Sequence, residues 1–385
     1  MPESNLDALS LSEAQVLFFR ARRTHLAGPG APDARTAARA LIGAQAQVDG
    51  PALFALSQRT EGRPSAAALK LQLLESHDLV RTWGQRDTLH VYDPSDWPAV
   101  IAARPEWPQS GRRGAMPTGA DLAAARAVFE RSDEPVFRRD LFDHIAQRYV
   151  DEVAEHPGAG ADPVRMAASR LIWHLALNGE ICFAHKDGSE QSYAKRTLWF
   201  GDLAWPADPA AASLELARRY LSSFGPATPA DIAHFFGSRV GIVKGWLDSM
   251  ASELIGVDCG HRNGLLALAR DHPELAEEPG TVENWPVRLL PKWDTHTMTH
   301  KDKSWVMPDR DEQPLVWKKA GVIEPTVLVR GRFAATWSHR AMAKKVVVTV
   351  RPLGLWRRSY ASAVENEARA LAAHLGRVDA EVVIL

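Results

Sequence analysis

The sequence predicts an α+β fold: three tandem winged-helix (helix-turn-helix) modules followed by a C-terminal β-rich, barrel-like domain. Three observations predict it. Capped helical stretches occur in groups, each group is closed by a pair of short strands around a turn, and from Val287 onward β-rich runs take over. The expected boundaries are 1–117, 118–208, 209–275 and 276–385.

In the first module, Ser12 and Gln15 stand at capping-box spacing before the apolar Val16, Leu17 and Phe19, and the helix ends in Arg20, Arg22 and Arg23. A Gly/Pro-rich break over 27–32 follows. Asp33 then caps a second helix whose Ala37, Ala40 and Leu41 share a face, and which stops near Gly43. Ser65 caps a third, carrying Leu69 and Leu73. Residues 79–83 and 88–92 read as two strands, the second with Leu89 and Val91 alternating with Thr88, His90 and Tyr92.

The second module repeats that order. Helices are expected over 121–130, 137–149 and 166–177, the last ended by Asn178-Gly179, and the strand 181–184 turns at Asp187-Gly188 towards Tyr193. In the third, 214–224 is helical, Thr228-Pro229-Ala230-Asp231 starts a helix, and 240–250 is the next. A hairpin of 254–258 and 265–268 is expected to turn at Asn263-Gly264. Residues 105–117 and the acidic stretch 271–283 read as linkers. The last domain has strands at 287–290, 327–329, 333–337 and 346–350, a helix at 361–375 and a final strand at 381–385.

A chain of 385 residues, 45% hydrophobic and 24% charged, is long enough for a substantial core and has the composition of a globule rather than a disordered or coiled-coil protein. No run reaches the roughly 18 apolar residues of a membrane span, and MPESNLDALS lacks a basic-then-apolar export signal. Two cysteines, Cys182 and Cys259, allow one bridge at most and no CxxC zinc pair. The expected location is cytoplasmic and nucleoid-associated. With a net charge of −1, a nucleic-acid partner has to be gripped by local basic surface rather than by the whole field.

Walker, GxGxxG, HExxH and GxSxG signatures are absent. His296 and His300 stand four apart, a metal-ligand spacing on a helix, but the Thr-rich DTHTMTH context favours strand or loop, so neither metal nor cofactor is expected. The segment Gly43-Ala44-Gln45-Ala46-Gln47-Val48-Asp49-Gly50-Pro51 is the unusual one. Its two carboxamides are two residues apart, and in an extended backbone both point the same way. Two readings compete there: a pair of glutamines satisfying backbone groups at a helix end, or a pair built to hold something.

Gln45-Ala46-Gln47 resembles the Gln-aliphatic-Gln motif of the AlkZ/YcaQ-type bacterial DNA glycosylases, winged-helix proteins that excise alkylated bases and unhook interstrand crosslinks. Further segments are similar to that family over nearly the whole chain: Arg81-Thr82-Trp83 through Arg86-Asp87-Thr88-Leu89-His90, Phe224 to Asp231, Leu289-Leu290-Pro291-Lys292-Trp293-Asp294 with His300-Lys301-Asp302-Lys303, and Gly331-Arg332-Phe333 to Trp337. Three positions depart from the family pattern: Asp87 replaces glycine, Lys303 replaces arginine and Ala335 stands where glycine is common. Gln47 places the chain with the Gln-Gln subgroup, associated with bulky N7-alkylguanine lesions and crosslinks, rather than with the Gln-Asp one.

The resemblance implies a monofunctional DNA glycosylase in base excision repair of alkylation damage, a monomer acting on double-stranded DNA that contains alkylated bases, with no membrane partner. Glutamine is not a general base. An N7-alkylated purine is already cationic and leaves neutral without protonation, so two carboxamides that orient a water at the sugar carbon are enough. Gln45 and Gln47 are the catalytic candidates. Asp49, Arg81, Arg86, His90, Trp293, Asp294, His300 and Lys303 are candidates for the lesion site or DNA contact, with a turn role the stronger reading of Asp49. Phosphate-contact candidates are Arg20, Arg22, Arg23, Arg340, Lys344, Lys345, Arg357 and Arg358, with Arg112, Arg113, Arg138 and Arg139 behind them. Most tryptophans inside elements, such as Trp83, Trp173 and Trp246, are expected in the core. The rival readings are a non-catalytic winged-helix regulator, indifferent to Gln45 and Gln47, and a protein-interaction scaffold without salt-dependent DNA binding.

Overall fold

A computed structural model describes residues 8–104, 118–146, 163–201, 203–205, 208–281 and 284–385. The expected linker 105–117 with Arg112 and Arg113, and the end of the 137–149 helix beyond residue 146, lie outside the described residues.

Strand β1 (Leu9–Ser10) precedes the helix Glu13–Arg23, which Ser12 and Gln15 cap reciprocally as expected. The first helix–sheet unit then runs through the helix Ala34–Ala40, β2 (Ala44–Gln45), the helices Asp49–Arg59 and Ala66–Leu74, β3 (Val80–Trp83) and β4 (Leu89–Tyr92). Its antiparallel sheet has the order β2-β4-β3. Ala37, Leu41, Leu53, Leu56, Leu69 and Val91 form its core. The helix Asp49–Arg59 is absent from the sequence expectation, which stalls at Gly50-Pro51. Pro51 falls in the first turn, where backbone N–H groups have no intrahelical acceptor, so the missing donor costs nothing.

The second unit packs the helices Gly119–Glu130, Arg138–Ala146 and Pro163–Leu177 on β5 (Val136–Phe137), β6 (Ile181–Asp187) and β7 (Glu190–Lys195), in the order β5-β7-β6. The third has the helices Pro209–Phe224, Pro229–Phe236 and Val240–Ser249 followed by β8 (Leu254–Cys259) and β9 (Arg262–Leu268). Its hairpin turns at Gly260-His261, three residues before the expected Asn263-Gly264, with Gly260 supplying the positive φ of +61°.

The helix Glu13–Arg23 does not join the first unit. Its Val16, Leu17, Phe18 and Phe19 are buried with Val257, Leu265, Trp285 and Phe333, and β1 pairs in parallel with β8. The acidic stretch expected as a linker packs on it too: Asp271 is buried and accepts from Arg23 at 2.7 Å, and the helix His272–Leu275 follows.

The last sheet corrects the barrel-like expectation. Strands β10 (Arg288–Leu290), β11 (Thr326–Val329), β12 (Arg332–Ala341), β13 (Lys345–Pro352) and β14 (Asp379–Ile384) lie in sequential order, and β10 and β14 are open edges. The β13-β14 pair is parallel, so the chain crosses over between them, and the crossover helix Ala361–His374 covers one face with Val364, Ala368 and Leu371 on Val346, Val348 and Val350. A covered face leaves nothing to be gained by closure. Among the described residues no helix is long and apolar enough to cross a membrane.

Candidate active site

β2 brings the carboxamides to the edge of the first sheet. It pairs with β4, Ala44 opposite Val91 and Gln45 opposite His90. Alternation sends Ala44 and Ala46 into the core and leaves Gln45 partly exposed and Gln47 exposed on the outside. The strand starts tightly because Gly43 has φ +90° and the Tyr92 ring fills the space a Cβ would take, 2.3 Å away.

Beyond Gln45 the pairing continues partly through side chains. Ala46 N donates to Leu89 O at 2.6 Å, and Leu89 N donates to Gln47 Oε1 at 3.1 Å. Arg81 holds the same loop from the β3 side: its Nε and Nη2 donate to Ala46 O at 3.2 and 3.0 Å, and its Nη1 lies 3.0 Å from Asp49 Oδ1. Lys186 Nζ, from the second unit, stands 3.4 Å from the other Asp49 oxygen. Asp49 is therefore the first residue of a helix and an anchor for two cations.

Gln45 has a different neighbour. Arg86 Nη2 donates to Gln45 Oε1 at 3.0 Å, while its Nη1 donates to the Phe235 carbonyl. Burial brings this guanidinium down to about 10, and among the described residues no ion pair is formed with it. Each glutamine oxygen thus faces an N–H donor, which fixes the sense of both amides and leaves one lone pair per oxygen for a further donor.

His90, the cross-strand partner of Gln45, is almost completely buried and its ring stacks on Tyr92 at 5.6 Å. Its Nδ1 is 3.0 Å from Thr88 O, and burial followed by the Arg86 charge pushes its pKa down to about 3, so it is neutral. His300 is also buried and neutral, between Thr299 Oγ1 at 2.8 Å and Phe224 O at 3.0 Å. Asp294 forms a fully buried bidentate pair with Arg59 at 2.9 and 2.8 Å and caps the turn Thr295–Thr297 through His296 N. These three expected lesion-site residues present almost no surface and are held by partners inside the protein.

Two others stay near the surface. Trp293 donates its indole N–H to Gly321 O at 2.9 Å. Lys303 is half-buried, its Nζ donating to His300 O at 2.6 Å and lying 3.5 Å from His234 Nε2, and burial followed by the Arg86 charge lowers it to about 8. His234, on the exposed side of the same cluster, is lowered to about 4 by burial and then by the Lys303 and Arg86 charges.

The phosphate-contact expectations divide. Arg20 is corrected outright: it is 2% exposed, donates to Pro226 O at 2.6 Å and stacks over Trp305 at 4.2 Å. Arg22 pairs with Glu277, Arg23 with Asp271 and Glu274, and Lys345 with Glu381. Arg340, Lys344, Arg357 and Arg358 are exposed along β12, its turn and the segment before the last helix. Arg138 pairs with Glu190 and Arg139 with Asp187. Among the described residues no group of three His, Cys, Asp or Glu side chains is placed to hold a metal ion.

Sequence reasoning missed Arg59, His234 and the Phe235 carbonyl. Arg59 lies on the unexpected helix, and nothing in a sequence marks a backbone carbonyl as an acceptor. His234 follows the recognised Thr228–Asp231 helix start and was within reach of a closer reading.

Comparison with known proteins gives the class to which this carboxamide pair and these helix–sheet units belong: enzymes that act on DNA. A family model described as "DNA glycosylase AlkZ-like" matches residues 38–374. The chain belongs to the AlkZ-like DNA glycosylase family and is a DNA glycosylase. A relative from Streptomyces sahachiroi, named an interstrand DNA cross-link repair glycosylase, is 24% identical over 384 residues, 96% of this chain and 97% of its own. The solved structure of the Streptomyces sahachiroi DNA glycosylase AlkZ superposes with a TM-score of 0.80 at 24% identity, covering 98% of this chain and 100% of that one, and shows the same fold.

Proposed function

We propose that this glycosylase hydrolyses the N-glycosidic bond of N7-alkylated purines in double-stranded DNA, bulky adducts and interstrand crosslinks among them, with Gln45 and Gln47 positioning the water. The observation that carries the reading is the fixed sense of the two amides: Arg86 and Leu89 N hold the oxygens of Gln45 and Gln47, and each oxygen keeps a free lone pair at the exposed edge. The C1′–N9 bond breaks with its electron pair returning to the cationic imidazolium ring, which leaves as a neutral base. The oriented water bonds to C1′ and releases its proton to solvent. No general base is required, and positioning supplies the acceleration. The name of the Streptomyces relative supports crosslinks as substrates.

In this reading the three helix–sheet units are winged helices, the enzyme works as a monomer, and Arg340, Lys344, Arg357 and Arg358 contact phosphates. The test is single-turnover release of N7-methylguanine from methylated duplex DNA, and unhooking of an N7-guanine crosslink, by wild type, Gln45→Ala, Gln47→Ala and the double variant. Loss of both activities in the double variant with DNA binding intact is expected. Full excision by the double variant would refute the role of the pair, and salt-dependent DNA binding without excision from either substrate would point to a non-catalytic DNA binder.

A further inference from the structure

The amide of a glutamine turns about a broad, nearly two-fold torsion, so its oxygen and nitrogen exchange places unless hydrogen bonds choose between them. At Gln45 the choice is made by Arg86, whose Nη2 donates to Oε1 at 3.0 Å. Arg86 is itself held from outside its own unit. Its other terminal nitrogen donates to the carbonyl of Phe235, in the last turn of the helix Pro229–Phe236, and its guanidinium carbon lies 5.6 Å from the Phe235 ring centroid.

The backbone at this junction is shaped to allow that reach. Arg86 sits at φ +57°, in the left-handed region that is unfavourable for a non-glycine residue. Opposite it, Gly237 takes φ +70° as the helix ends, and a Cβ there would stand 3.2 Å from Arg86 Cγ and 3.3 Å from its Cα. The two units therefore touch at a glycine while the arginine passes between them. Burying a cation with no carboxylate beside it is unfavourable, and a neutral side chain would avoid that cost. The guanidinium does what a neutral donor or a lysine does not: its planar fork reaches a carbonyl of one unit and a carboxamide of another at once.

We propose that Arg86 is a positioning residue through which the third helix–sheet unit sets the orientation of the Gln45 carboxamide, so that the water-holding pair is complete only when the first and third units are docked. This rests on the reading that Gln45 positions the water. Lesion excision then depends on a contact more than 140 residues away along the chain, since the Arg86–Phe235 separation is 149.

The experiment is a double-mutant cycle in saturating single-turnover excision of N7-methylguanine, with lesion-duplex affinity measured alongside by fluorescence anisotropy. Arg86→Lys and Arg86→Met are expected to slow the chemical step roughly 10- to 100-fold, with affinity unchanged. Gly237→Ala moves Arg86 without removing any polar group, so it should slow excision in the same direction to a smaller extent. It also carries the test if the Arg86 variants fail to fold.

The decisive arm is the background. In the Gln45→Ala background, followed to long single-turnover times, Arg86→Met and Gly237→Ala should have no further effect on the residual rate. A further loss of the same factor in that background would mean that Arg86 acts independently of Gln45, and would overturn the proposal while leaving Gln45 in its role. If Gln45→Ala excises at the wild-type rate, the reading beneath the proposal fails and the proposal fails with it.

Discussion

Replacing Asp294 with asparagine separates a scaffold role from a lesion-contact role. Asp294 and Arg59 both have fully buried side chains, joined by two hydrogen bonds of 2.9 and 2.8 Å. Asparagine preserves shape and can still accept from His296 N, but it turns one accepting oxygen into an NH₂ facing a guanidinium and leaves the Arg59 charge uncompensated. Removing one partner of a buried pair costs about 3–5 kcal/mol. Set against a typical net stability of about 5–15 kcal/mol, that is roughly a fifth of the total or more. Converting Arg59 to methionine in the same chain removes the stranded charge, so the double variant Arg59→Met/Asp294→Asn should recover at least half of the loss. Urea unfolding followed by tryptophan fluorescence at pH 7.5 measures both. Excision by the folded double variant should remain near wild type, because Asp294 has no surface to offer DNA. A single-variant cost below about 1 kcal/mol, or strictly additive losses, would refute the buried-pair argument. A stable double variant without excision would return Asp294 to the reaction.

Two further expectations concern pH and salt. His90 and His296 are buried and neutral, held down to about 3 and about 4 by burial, and His300 is also pushed well below its ordinary value. Between those values and the unfolded value near 6.5 the unfolded chain binds more protons, so stability is complete above pH 6.5 and falls as pH drops below it. Each histidine contributes a loss of about 1.4 kcal/mol per unit, or about 4 kcal/mol for the three at pH 5.5. Urea midpoints at pH 7.5 and 5.5 test this, and equal midpoints would contradict it. On the basic face, the Arg340→Gln/Lys344→Gln/Arg357→Gln/Arg358→Gln variant should flatten the dependence of log Kd on log salt by about 3–4 for duplex DNA. Arg20→Gln should leave that slope alone and lower the melting temperature, and an altered slope would show that Arg20 reaches phosphate after all.

Local signals were legible wherever a cap, a turn or an alternation lay within a few residues. Ser12 with Gln15, Thr228 with Asp231 and a strand at Leu89–Tyr92 all appear as expected, because each is decided by neighbouring backbone, although all four residues of that strand are buried rather than alternate ones. The first unit's middle helix, Asp49–Arg59, was hidden by Gly50-Pro51, which reads as a break unless Pro51 is recognised as a first-turn residue. The barrel was not foreseeable as an open sheet, since strand count says nothing about whether a helix will cover one face. At the candidate site, spacing marked Gln45 and Gln47 as a pair on one face, and the family resemblance alone made them catalytic candidates. The burial of Asp294 and His300 could not be read from the sequence, because a charged or polar residue enters a core only when a distant partner such as Arg59 or Phe224 O meets it there. The same holds for Arg20, whose place in a basic helix end gives no hint of the carbonyls of Gly225 and Pro226 that receive it.

The parallel pairing of Leu9–Ser10 with β8 bears on how the enzyme is made on the ribosome. The segment synthesised early has to wait, unpaired, until Val257 and Asp258 have emerged, by which time the first two units can already have formed. Its apolar residues Val16, Leu17, Phe18 and Phe19 are exposed throughout that interval. In the folded chain the third unit and the last sheet surround them, so joining this earliest-made segment to its partners is a late step. A fragment cut from residue 209 onward would lack both a strand and the helix that fills its core, and should not be expected to fold by itself. Insertion of a tag or fusion partner directly at residue 9 would interfere with that late step, whereas an extension beyond Ile384, at the open edge of β14, meets no such constraint.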